Sequence, residues 1–225
     1  LVLAFPVSYL LSRMRPASQR MMQMLIMLPM WMNFLLRTYS WMSILENNGL
    51  LNQLFQQIGL IDLYNQIAMH FAADPAAYVP IDHFQMIGTQ GAVVLGMVYN
   101  YLPFMILPIY SVLVKLDHSL IEAARDLGAS SVQVFRKVIL PLSLPGVLSG
   151  ITMVFVPSVS TFAISRLLGG GTQMMLGDLI EQQFLGGAYN PQLGAAIALV
   201  MMAIVVVCML VMNRFGDGEE QAVML

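Results

Sequence analysis

The chain has 225 residues, of which 58% are hydrophobic and only 10% charged, with a mean hydropathy of +0.75. Soluble domains carry about 25% charged residues, so this composition belongs in lipid, and a formal net charge of −2 without a basic run gives nucleic acid nothing to bind. One cysteine, Cys208, excludes an intramolecular disulfide framework and a cysteine-rich metal site, and its place in an apolar run predicts a packing role.

Five apolar stretches can be marked, at the roughly 20 residues that a helical span needs. Residues 1–11 are short and begin without methionine, as the end of a span that starts earlier would. They lack the basic region and small-residue cleavage site of a signal peptide. The second stretch covers about 21–45. The third covers about 91–114 and contains Pro103 and Pro108. The fourth covers about 142–164, with Pro145 and Pro157, and the fifth about 193–213. Neighbouring helices can satisfy the carbonyls that these prolines free, so kinks are expected rather than breaks. Between the second and third stretches, LLNQLFQQIGLI (50–61) has helical spacing, as of an interfacial helix or a helix over an outer mouth. AADPAAYVPID (72–82) has the chemistry of an irregular loop. There is no internal repeat or low-complexity linker, which makes residues 1–225 one transmembrane domain.

Basic residues orient the spans. Arg13, Arg15 and Arg20 precede the second stretch; Lys115, Arg125, Arg136 and Lys137 lie between the third and fourth; Arg214 follows the fifth. No lysine or arginine occurs from Thr38 through Val114, where Glu46, Asp62, Asp74 and Asp82 stand instead. The positive-inside tendency puts the basic segments in the cytoplasm and residues 46–88 and about 165–191 outside, with Arg166 as the outward exception.

The segment SLIEAARDLGASSVQVFRKVILPLSLP (119–145) is polar between two apolar stretches. Asp117 or Ser119 can cap a helix carrying Glu122, Ala123, Ala124, Arg125 and Asp126. Gly128 can end it with positive φ. Ser130 or Ser131 can cap a second, amphipathic helix through Val132, Phe135, Val138 and Ile139, and Pro141 is expected to mark the turn into the next span. Such a loop (115–141) can present a short helix to a soluble partner; the plainer reading is an amphipathic helix lying on the membrane.

Glu122-Ala123-Ala124, then Gly128, then Ile139-Leu140-Pro141 resemble the EAA motif of ABC importer permeases. RTYSW (37–41), YLPFMILPIYSVLVKLD (101–117) and IEQQFLGG (180–187) are similar to permease subunits of the spermidine/putrescine type, and the likeness covers nearly the whole chain except an enlarged 69–88. The resemblance implies an all-α, polytopic permease of the type I kind in the bacterial inner membrane. That family has six spans, of which about four and a half are here. It implies a second homologous permease, two cytoplasmic ATPases and an extracytoplasmic binding protein as partners. It also implies that Glu122 meets a basic group in an ATPase groove while Gly128 shapes the bend. No GxxxxGK[ST] phosphate loop and no HExxH occur, and His70, His83 and His118 are widely separated, so no catalytic constellation, ATPase site, metal or cofactor is expected in this chain. The 20 methionines are explained by packing in core and lipid. Import of another small solute, a secondary carrier and a non-transporting scaffold are the alternatives; a carrier needs no ATPase partner, so the loop argues against it.

A polyamine needs carboxylates, carbonyls and aromatic faces. Asp178 and Glu181, three apart on one helix face, are candidates, with Glu46 and the aromatics Tyr39, Trp41, Tyr99 and Tyr101. Interfacial belts and solvated acids are the plainer reading. Arg37 falls inside a span, where a charge is costly, and predicts a partner such as Glu46 or a gating ion pair.

Overall fold

A computed structural model describes residues 1–71, 78–171, 174–187 and 189–223. Among these every regular element is a helix. Residues 72–77, which hold Asp74 and most of the expected irregular run, lie outside the described residues. Among the described residues two helices, Gln90–Leu113 and Pro191–Met212, are long and apolar enough to cross a membrane; the pair Ser131–Leu142 and Leu144–Ser160, bent by 60°, is together apolar enough for a broken span or a re-entrant loop. The chain packs as two compact units: residues 1–31, 99–160 and 179–225, and residues 32–98 and 161–178.

The first unit gathers α1 (Ala4–Ser12), α2 (Pro16–Met27), the later turns of α6 (Gln90–Leu113), α7 (His118–Asp126), α10 (Leu144–Ser160) and α13 (Pro191–Val223). Its core is Ala4 and Phe5 of α1, Met105, Ile106, Ile109 and Leu113 of α6, Ile121 of α7, and Val134, Ile139 and Val147. Small residues let α10 approach α6: a Cβ on Gly146 would lie 2.8 Å from the Pro108 carbonyl oxygen and 3.1 Å from the Ile109 Cα. Pro103 and Pro108 sit inside α6 and Pro157 inside α10, so the helices run on through all three. The Tyr101 hydroxyl donates to the Pro157 carbonyl at 3.0 Å, which takes up a group near the end of α10. Gln19 ties the turn after α1 to α6: its amide donates to the Ser12 and Met14 carbonyls, and its Oε1 accepts from the Tyr110 hydroxyl at 3.1 Å.

The second unit holds α3 (Phe34–Leu45), α4 (Leu50–Gln57), α5 (Leu60–Phe71), the first turns of α6, and α11 (Ala163–Leu168). α11 is buried through Ile164, Ser165 and Leu168, with α3 packed on it and Gly96 of α6 facing Ile164 and Leu168. Amide side chains secure the extended segment after residue 77. Asn65 accepts from the Tyr78 hydroxyl and the Ile81 N–H at 2.9 and 3.0 Å and donates to the Ile81 carbonyl at 2.9 Å. Asn52 bonds both backbone groups of Phe84. The Phe84 ring meets Phe55 and Tyr64 edge-on, at 5.8 and 5.3 Å between centroids.

Three expectations change. The second apolar stretch is not one helix: Pro29 lies in a 3₁₀ turn, Leu28–Trp31, and α3 restarts at Asn33, whose Oδ1 caps the Leu35 N–H at 2.8 Å. The fourth stretch ends at Ser160, one turn after Pro157 removes a helical N–H, and α11 is a separate helix. The helix expected over 50–61 divides at Gly59, φ 71°, and its second half runs on to Phe71.

Candidate functional site

The loop between α6 and α10 is built from local capping. The Asp117 carboxylate accepts the Ser119 N–H at 2.9 Å and starts α7. At the other end Gly128 has φ 81°; its N–H donates to the Arg125 carbonyl at 2.8 Å, and the Ala129 N–H reaches back to the Ala124 carbonyl at 3.1 Å. That bond pair is a Schellman motif, and Ala124 and Ala129 both pack on the core beneath it. Ser130 then opens α8 (Ser131–Val134) with a reciprocal capping box: Ser130 Oγ accepts the Gln133 N–H, and Gln133 Oε1 accepts the Ser130 N–H at 2.9 Å.

The next turn is wider than α. Leu140 N–H donates to the carbonyl of Phe135, five residues back, across Phe135–Ile139. The reason is Pro141, which has no N–H to donate and would clash with a carbonyl one regular turn earlier. Pro141 therefore sits within α9 (Leu140–Leu142) instead of at the turn, and the 60° bend falls at Ser143.

Two faces result. Ile121, Val134 and Ile139 are buried and fasten the loop to the first unit's core, while Glu122, Ala123, Arg125, Asp126, Arg136 and Lys137 are exposed. Leu127 and Val132 are 89% and 73% exposed beside them. Of the motif residues, Glu122, Ala123, Gly128 and Pro141 stand at the surface, Ala124 is half-buried and Ile139 is a core residue. Apolar side chains set among exposed charges on a firmly held helix make a surface suited to a protein groove.

The chain matches the family model described as binding-protein-dependent transport system inner membrane component over residues 1–218. It belongs to that family. It is 35% identical to the spermidine/putrescine transport system permease protein PotB of Haemophilus influenzae over 209 residues, 92% of this chain and 66% of that protein. Against the PotB of Escherichia coli it is 35% identical over 214 residues, 95% of this chain and 70% of that protein. The inner membrane ABC transporter permease protein YdcU of Escherichia coli is 29% identical over 217 residues, 96% of this chain and 66% of that protein. The chain thus spans about two thirds of the length of these relatives.

In this membrane component the candidate path residues are dispersed. Asp178 lies in the first turn of α12 (Leu176–Leu185) and is 8% exposed. Its carboxylate accepts the Ser165 hydroxyl at 2.6 Å and the Met175 N–H at 2.9 Å. The second bond is the half of a capping box that an acidic third residue supplies. Glu181 is half-buried one turn on; Glu46 is exposed at the C-terminus of α3; Tyr39 is exposed and Trp41 half-buried on α3. Tyr99 and Tyr101 are half-buried on α6. Arg37 is 8% exposed, and its Nε and Nη1 have no acceptor. Glu46 does not pair with it: nine residues of helix separate them by about 13 Å along the axis. Sequence reasoning missed the Asp178–Ser165 bond. A helix N-terminus three residues before an acid is a readable signal, but the partner hydroxyl, on another element, is not.

Proposed function

We propose that the chain is a multi-pass permease subunit of an ATP-driven polyamine importer in the bacterial cytoplasmic membrane. The loop from Asp117 to Ser143 carries the reading: exposed Glu122, Ala123, Leu127 and Val132 offer a soluble ATPase a surface while Ile121, Val134 and Ile139 tie that surface to the membrane helices. The basic residues of that loop, with the lysine- and arginine-free interval from Thr38 through Val114, support a cytoplasmic loop and an outward segment 46–88. A second homologous permease, two ATPases and an extracytoplasmic binding protein complete the machine. ATP is hydrolysed by the partners, and this chain works without a cofactor. The polyamine class follows that of the PotB relatives, spermidine/putrescine transport system permeases. It fits acidic Asp178, Glu181 and Glu46 as aids to a polycation, with Tyr39 and Trp41 as aromatic faces.

The test is uptake of radiolabelled spermidine into proteoliposomes holding the full complex with its binding protein in excess. Uptake that needs both ATP and the binding protein is expected. ATP-driven uptake of another solute with no polyamine transport would retain the importer and overturn the substrate class.

A further inference from the structure

Among the described residues only two charged side chains are buried, Arg37 and Asp178. They have opposite charge and belong to the same compact unit. The buried side of α3, marked by Arg37, Thr38 and Leu45, belongs to a helix that packs on α11, and Ser165 of α11 donates to the Asp178 carboxylate. Among the described residues neither charge is met by an opposite one. Nε and Nη1 of Arg37 are enclosed with no acceptor, while Asp178 is held by a neutral hydroxyl and a neutral amide. A guanidinium keeps its proton. Leaving it unmatched in an apolar interior is costly, and attraction between opposite charges is much less screened there than in water.

We propose that Arg37 and Asp178 are the two halves of a buried charge couple, apart in this arrangement and joined when α11 shifts during transport. α11 is suited to shift: it is six residues long, separated from α10 at Thr161–Phe162, and followed by Gly170 at φ 58°. Asp178 is then a switched acceptor and not a standing cation site. Its carboxylate is open to a passing ammonium group while Arg37 is apart, and is reclaimed when the guanidinium arrives, so the resident cation displaces the travelling one. That last step rests on the import reading above; the pairing does not.

A double-mutant cycle on the assembled complex decides the pairing. The four proteins are wild type, Arg37→Gln, Asp178→Asn and the double variant, and the readout is the thermal midpoint of this subunit. Asp178→Asn alone is expected to lower the midpoint, because even when apart the two charges attract through a weakly screening interior and their joined arrangement is lost; in the Arg37→Gln background the same change has little effect. Equal losses in both backgrounds overturn the couple. In the transport arm, ATP-driven spermidine uptake falls about tenfold in Arg37→Gln, the scale of a coupled contact, and Arg37→Lys, which keeps the charge, recovers most of it. Equal loss in the two variants overturns the displacement step. If wild type carries no spermidine, the substrate reading fails and the stability cycle still decides the couple.

Discussion

In the loop from Asp117 to Ser143 every charged side chain described stands exposed, and the groups it buries are apolar Ile121, Val134 and Ile139 with one hydroxyl, that of Ser143. The unit built on α11 differs: beside apolar Ile164 and Leu168 it buries two charged side chains, Arg37 and Asp178, with Thr38, Asn52 and Ser165. A surface that must recognise a soluble protein keeps its charges in water, where they set orientation at little desolvation cost. A layer that keeps ionic groups inside lipid-soluble protein bears a standing electrostatic cost, and such groups in membrane proteins mark pathways and switches. On the function and the charge couple proposed above, the contrast separates a coupling surface from a moving part.

The largest effect expected from challenging that contrast is on packing. Gly146→Ala pushes a methyl against the backbone of α6, 2.8 Å from the Pro108 carbonyl, and should cost about 3 kcal/mol, the upper end for overpacking. Because the same core holds Ile121 and Val134, it should also loosen the loop, read as faster proteolysis between residues 119 and 134. Gly96→Ala meets Leu168 and Ile164 side chains, whose ends can give, and should cost less and leave the loop's protease resistance unchanged.

A matched pair of glycines sharpens the comparison further. Gly128 and Gly59 have φ 81° and 71°, and a Cβ at either meets nothing within 4 Å. Valine at either position therefore carries backbone strain alone, about 1–3 kcal/mol. Gly128→Val should strip the ATPase from the purified complex, while Gly59→Val should leave its recovery intact. Equal recovery in both variants would remove the loop's special role.

The smallest effect belongs to the amide clamps. Asn65→Ala removes bonds to Tyr78 and Ile81 and should cost about 1 kcal/mol. Hydrogen exchange should show it as faster exchange confined to the segment at residues 78–84.

Legibility followed the range of the interaction. Asp117, Gly128 and Ser130 act on neighbours within five residues, so their capping roles could be read from the chain, as could a helix that continues through Pro103 and Pro108. Pro29 and Pro141 were present in the sequence too, yet their outcomes depended on how adjacent turns made up for a missing N–H: one broke its helix and the other widened it. The clamps of Asn52 and Asn65 reach 32 and 16 residues along the chain, and Asp178 reaches Ser165 from another helix. Nothing local specifies such partners. Arg37 was recognisable as an anomaly in an apolar span, but its nearest acid in sequence, Glu46, is not its partner.

Cross-linking from the loop to the ATPase tests the central claim most directly. In a Cys208→Ala background, a cysteine replacing exposed Ala123 should form an adduct with the ATPase subunit in native membranes. A cysteine replacing Val79 should give none and should instead react with a membrane-impermeant thiol reagent added to intact cells. An ATPase adduct at residue 79, or labelling of residue 123 from outside the cell, would contradict both the coupling role of the loop and the orientation of the chain.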